Sequence, residues 1–200
     1  VATSTVGIGG QIVFEDDGPS AEITLNSQVT LTLDESIGVD PSDSNAAADD
    51  DVSGNPFPGG YGTPIGLTSG NLINVETADV GADDEGATVD LSLSVVDANS
   101  GLMTTDGQAI SLYQEADGSI TGRVGGAAGT VIFAVSIDAA GKVTVAQYDS
   151  LKHPTSPDSY DEPVNLAGKV AAVLKVTDGD GDVATSTVGI GGQIVFEDDG

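Results

Sequence analysis

Three aspartates at alternate positions, Asp178, Asp180 and Asp182, stand in VTDGDGDVAT with only glycine between them. Glycine lets the backbone turn sharply, so several carboxylates and freed carbonyls can face one point. That donor set suits a hard cation taking about six to eight oxygens, and calcium is the natural candidate. The chain has no cysteine and one histidine, so thiolate zinc sites and histidine-based transition-metal sites have little to build on. The motif is not an EF-hand. Counting twelve from Asp178 reaches Gly189 where a bidentate glutamate is required, and Val183 stands where the loop glycine belongs. Nor does it match the GGxGxDxUx nonapeptide of calcium-binding β-rolls. A solvated polar hairpin turn is the other reading of the same residues.

A second acidic cluster, Glu15, Asp16 and Asp17 in FEDDGP, recurs as Glu197, Asp198 and Asp199. Each copy closes an identical eighteen-residue segment, VATSTVGIGGQIVFEDDG, at 1–18 and again at 183–200. The spacing, 183 − 1 = 182 residues, is a period long enough for each unit to bury its own core. The expectation is one unit of a tandem array. Residues 1–18 would be the last strand and linker of a preceding repeat, and residues 19–200 a β-sandwich repeat ending in its own linker. Duplication of one strand inside a self-contained domain is the alternative.

Adjacent linker carboxylates repel one another, and a shared cation would turn a flexible hinge into a stiff joint. Fully extended at roughly 3.3 Å per residue, 183–196 would span about 46 Å, enough to run the length of a sandwich. The Asp178–Asp182 hairpin and the outgoing linker should then lie at opposite ends, with the incoming linker at the hairpin's end. This predicts a site shared by Glu15, Asp16 and Asp17 with Asp178, Asp180 and Asp182, while Glu197, Asp198 and Asp199 await a neighbour. Asp34 and Glu35, at a strand end, are candidates for a second joint. Asp49 to Asp51, Asp83 to Glu85, and Asp158 with Asp161 and Glu162 read equally well as solvated loops.

The elements that must position these acids are strands. Apolar or β-branched residues alternate in AEITL (21–25), QVTLTL (28–33), ATVDLSLSVV (87–96), QAISLY (108–113), SITGRV (119–124), TVIFAVSI (130–137), KVTVAQY (142–148), GKVAAVLKVT (168–177) and VATSTVGI (183–190). In the third of these, Val89, Leu91, Leu93 and Val95 should face one way. Turn signals fall at Asp106-Gly107, Asp117-Gly118 and Ala140-Gly141. No segment has helical spacing. The fold class is therefore all-β, an immunoglobulin-like antiparallel β-sandwich. The stretch from Gly38 to Gly70 reads as an irregular loop or decorated crossover, too long for a plain connection.

Charge narrows the partners. With 5 Lys plus Arg against 32 Asp plus Glu, the formal charge is −27. Such an excess of anions argues against nucleic acid and anionic membrane surfaces, and no apolar stretch is long enough for insertion. Catalytic signals are weak. Ser150, His153 and Asp161 are close in sequence, with Ser156 and Asp158 nearby, but there is no GxSxG elbow and His153 precedes Pro154 in an apparent loop, where a surface or capping role is the ordinary one. The chain reads as a non-enzyme.

An ordered set of motifs spans nearly the whole chain: IVFEDDGP (12–19), LDES (33–36), SGLMTTDGQAISL (100–112), GTVIFAVSID (129–138), GKVTVAQYDSLKHP (141–154) and KVTDGDGDVAT (175–185). The set resembles the extender repeats of giant repeats-in-toxin adhesins, surface proteins of Gram-negative bacteria exported by type I secretion. The resemblance implies monomeric immunoglobulin-like domains in tandem, outside the cell, with neighbouring repeats of the same chain as partners. It implies calcium at the joints, with Glu15, Asp16, Asp17, Asp178, Asp180 and Asp182 as ligand positions, stiffening a stalk that projects a distal binding region. The length, well beyond a plain immunoglobulin-like domain, leaves a second possibility open. In that reading the 38–70 loop makes the domain itself adhesive, toward a glycan or a surface.

Overall fold

Alternation of apolar and polar side chains leaves each strand one face to bury, and a chain of such strands closes by stacking sheets. The computed structural model describes residues 1–13, 17–34, 54–154 and 162–197. Its strands are β1 (Ser20–Leu25), β2 (Leu31–Asp34), β3 (Gly66–Asn71), β4 (Ile73–Asp79), β5 (Thr88–Val95), β6 (Asn99–Met103), β7 (Ala109–Gln114), β8 (Ile120–Val124), β9 (Thr130–Ile137), β10 (Lys142–Gln147), β11 (Val164–Asn165), β12 (Val170–Thr177), β13 (Val183–Gly189) and β14 (Ile194–Glu197). Among the described residues the only helical segments are three-residue 3₁₀ turns, and no helix is long and apolar enough to cross a membrane. The protein is all-β, with its sheets stacked as in a β-sandwich.

The largest sheet has the order β3-β10-β9-β8-β7-β6 and is antiparallel throughout. A second sheet runs β13-β12-β5, a third pairs β1 with β4, and a fourth runs β11-β14-β2. The hairpins β6–β7, β7–β8 and β9–β10 turn at the Gly107, Gly118 and Gly141 signals. At Gly141, φ is +81° and any side chain would run into the Ile73 carbonyl, so glycine is required there.

One pairing departs from the antiparallel expectation. β2 and β14 are parallel, with Leu31 opposite Ile194 and Asp34 opposite Glu197. The Ile23 N–H donates to Ser186 Oγ at 3.1 Å, and Gln193 Nε2 donates to the Val29 carbonyl at 2.7 Å. Thus the start of the domain follows its last strands side by side in one direction, at an offset near 163 residues (186 − 23 and 197 − 34).

A single apolar cluster joins the sheets, with Ile110, Ile120, Phe133, Val143, Leu174, Ile190 and Phe196 among its fully enclosed members. The Phe133 and Phe196 rings meet at 5.1 Å between centroids. Leu91, Leu93 and Val95 pack on this core as expected, but Val89, opposite the buried Val176, is 53% exposed. The 38–70 stretch is less irregular than its sequence reads. Residues 38–53 lie outside the described residues, but 66–70 belong to β3, and Phe57 and Tyr61 form a small second cluster with Leu67, Ala134, Ala146 and Tyr148. Two apolar anchors in a Gly/Pro-rich run carry no period, which is why the pattern hides them. Five further strands, β3, β4, β6, β11 and β14, lie outside the alternating runs: Gly, Asn or Ser interrupts β3, β4 and β6, and β11 and β14, at two and four residues, are too short to show a period.

Two outcomes check this packing. In Gly122→Ala the new methyl would collide with the Phe133 ring, so stability should fall by about 1–3 kcal/mol, whereas Gly60→Ala, with open space around it, should leave the melting temperature unchanged. Burial pushes the Tyr148 phenol up to about 12, despite a hydrogen bond with Asn55 that opposes the shift. Its ultraviolet titration should therefore lag an ordinary tyrosine, and the stability it contributes below pH ~10 should disappear as pH rises toward its folded-state value.

Candidate metal centre

β12 and β13 are antiparallel with Thr177 opposite Val183, so the five residues 178–182 are the whole of their connection. The Asp178 N–H donates to the Asp182 carbonyl at 3.1 Å, closing the loop. Inside it, Asp178 Oδ1 accepts from the Gly181 and Asp182 N–H groups at 2.9 and 2.7 Å. Asp180 Oδ1 lies 3.4 Å from the same Asp182 nitrogen. Short acidic side chains bond their own backbone a few residues on, and here that habit curls the loop around the Asp178 carboxylate. Gly181, at φ +105°, supplies the turn.

The outcome is a cluster. Asp178, only 3% exposed, and the exposed Asp180 and Asp182 each offer a carboxylate oxygen within 4.8 Å of the others. This group could hold a metal ion. Like charges that close repel by about 1 kcal/mol per pair in water and about three times that in a half-screened protein environment, so a cation would convert a cost into an attraction.

A fourth acid reaches the loop, one that the sequence marks only as an ambiguous surface run. The Gly179 N–H donates to the Asp83 carbonyl at 2.8 Å. A methyl on Gly179 would come within 2.5 Å of Asp83 Oδ1 and 2.7 Å of the Glu85 carbonyl. Asp83 is thus pressed against the hairpin by the β4–β5 connection, a long-range contact with no local signal. The same connection meets the incoming chain: Gly81 packs so tightly on the Asp17 carbonyl that a side chain could not fit between them.

The predicted site residues separate accordingly. Asp178, Asp180 and Asp182 come together. Asp17 lies at their end of the domain, through Gly81, but its carboxylate is not one of the clustered trio. Glu15 and Asp16 lie outside the described residues, as do Glu35, Asp198 and Asp199. Asp34 and Glu197, which the sequence offers as separate candidates, are opposite one another where β2 and β14 end. They close the far end of the β13–β14 run from the hairpin. That run is shorter than the 46 Å of a fully extended segment, because Gly191–Gln193 form a 3₁₀ turn with a rise of only about 2.0 Å per residue.

Of the other clusters, Asp49 to Asp51, Asp158 and Asp161 lie outside the described residues, as does Ser156. His153 is not the surface residue its loop context implies. It is buried, and its Nδ1 lies 2.6 Å from the Glu162 carbonyl oxygen. That oxygen can only accept, so Nδ1 carries the proton. Two of the five cations are fixed on the flanks, Arg123 on Glu115 at 2.8 Å and Lys169 on Asp97 at 2.6 Å.

A family described as a domain of unknown function (DUF5801) matches residues 30–191, which take in the hairpin and all strands from β2 to β13. No curated protein matches the chain, and no solved structure does.

Because Asp178 organises the loop as well as contributing charge, its replacements should separate the two roles. Asp178→Ala should lower stability by about 1–3 kcal/mol even in excess chelator, since two N–H groups lose their acceptor. Asp180→Asn, which keeps an acceptor and removes a charge, should leave stability in chelator unchanged or slightly raised.

Proposed function

The chain belongs to the DUF5801 family, and we propose that it is a calcium-stiffened spacer, one unit of a tandem array that carries a distal binding region away from a bacterial surface. The observation that carries this reading is the Asp178, Asp180 and Asp182 cluster, set beside Asp83 on the same connection that grips the incoming linker at Asp17. Oxygen-only donors, carbonyls freed by a glycine-rich turn and a charge of −27 all favour calcium over softer metals. Glu15 and Asp16 add carboxylates from the linker side. Asp34 and Glu197, with Glu35, Asp198 and Asp199, do the same at the opposite end, where the next unit begins. The role is mechanical: an ion at each joint removes the repulsion between linker and hairpin and fixes the angle between neighbours. The partners are then neighbouring units of the same chain, outside the cell, and no reaction is catalysed.

Linkage gives the test. An ion that binds only the folded state at a hundred times its dissociation constant adds about 2.7 kcal/mol, about 5–10 °C in melting temperature for a domain of this size. Calcium should raise the melting temperature by that order, excess chelator should reverse it, and Asp180→Asn/Asp182→Asn should abolish the response. A two-unit tandem should also shorten in small-angle scattering when calcium is removed. A melting temperature and scattering length both indifferent to chelator would sink the proposal.

A further inference from the structure

We propose that the β4–β5 connection is a charge-sensitive relay, through which the charge of the Asp178–Asp182 hairpin sets how firmly the chain entering β1 is held at Asp17. Its position follows from strand pairing. β4 pairs with β1, the strand into which Asp17 leads, with Ser20 opposite Asp79. β5 pairs with β12, the strand that leads into the hairpin, with Thr88 opposite Thr177. The eight residues 80–87 that join β4 to β5 therefore cross from the root of the incoming chain to the root of the hairpin.

On the incoming side the contact is backbone against backbone. Gly81, at φ +74°, lies so near the Asp17 carbonyl that any side chain would strike it. Its N–H donates to Asp79 Oδ1 at 3.0 Å, which ties this corner to the end of β4. On the hairpin side the Gly179 N–H donates to the Asp83 carbonyl at 2.8 Å, and the Ala87 N–H donates to the Asp84 carbonyl at 3.2 Å to close the rest of the loop. One residue, Ala82, separates the two grips. At 3.8 Å between successive Cα atoms, Gly81 and Asp83 have little freedom to move apart.

Like charge loads the relay. Asp83, Asp84 and Glu85 are exposed, and Asp83 Oδ1 stands against Gly179, whose chain neighbours are Asp178 and Asp180. Repulsion between loop and hairpin acids opposes a closure that one hydrogen bond and close glycine packing maintain. At full hairpin charge the connection is pressed outward and its hold on Asp17 slackens. When that charge is lowered, by substitution or by a bound cation, the connection settles and the hold tightens. These acids face water, so salt weakens the effect. The relay deepens the spacer reading by naming how hairpin charge reaches the joint, but its contacts need no calcium to form.

Nuclear magnetic resonance on the full chain in excess chelator tests it with two reporters. The first is the hydrogen-exchange protection of the Gly179 amide, which reads the loop closure itself. Asp180→Asn/Asp182→Asn should raise it about threefold, as should Asp83→Asn with the native hairpin, since each removes one side of the repulsion. All three changes together should give less than the product of the separate effects, as coupled sites do. In ~1 M salt, where the screening length falls to about 3 Å, the gains should shrink by about half or more. The second reporter is the order parameter of the Gly18 amide, which should rise by about 0.1 in Asp180→Asn/Asp182→Asn, on a scale where about 0.85 marks a rigid backbone, and should lose that response in Gly81→Ala. Multiplicative effects at Gly179, a Gly18 amide indifferent to hairpin charge, or a response that survives Gly81→Ala would overturn the proposal. If Gly81→Ala does not fold, the Asp83 cycle and the Gly18 response of Asp180→Asn/Asp182→Asn decide it. Chelator is present throughout, so the relay and calcium binding can fail separately.

Discussion

The first strands of the domain run beside its last in the same direction, from Ile23 and Ser186 to Asp34 and Glu197, and the rest of the molecule is arranged around that parallel closure. Parallel neighbours cannot be joined by a tight turn and need a long crossover. Here the crossover is nearly the whole domain, every other named strand pairing of which is antiparallel. Because the two runs point the same way, the chain enters at the hairpin end and leaves at the other. A domain whose entry and exit lie at opposite ends transmits direction, which a hairpin-closed sandwich with adjacent termini does not.

That closure also sorts the charge. The core cluster is apolar throughout, so the acids are confined to turns, strand ends and solvent faces. At the ends, Asp34 faces Glu197 and the Asp178, Asp180 and Asp182 carboxylates converge, whereas Arg123 and Lys169 are held by acids on the flanks.

Period-2 alternation located the nine strongest strands and made the all-β class legible, and the turn glycines located three of the hairpins. β14 was harder, since IVFE is too short to show a period, and its partner β2 was reachable only through the fold. Asp178, Asp180 and Asp182 were legible because five consecutive residues build their own loop. Asp83 was not, because 95 residues separate it from Asp178 and only the packing of the β4–β5 connection against Gly179 unites them. The duplicated segment isolates the same division within one sequence. Both copies make the 3₁₀ turn, which local sequence specifies, but only Val183–Gly189 and Ile194–Glu197 become strands, because strand formation needs partners and burial.

The β4–β5 connection is where these two levels meet. Gly81 on one side is pinned to the Asp17 carbonyl, and the Asp83 and Glu85 backbone on the other is pinned to Gly179. Neither contact has room for a side chain, so movement of the linker and movement of the hairpin are both passed to the same short loop. A cation drawn to Asp178, Asp180 and Asp182 would then act on the linker without touching it, by removing the freedom of the loop against which Asp17 rests. In the proposed role, stiffness would depend on close backbone contact as much as on carboxylate number, and the glycines at 81 and 179 would matter to it as directly as the aspartates.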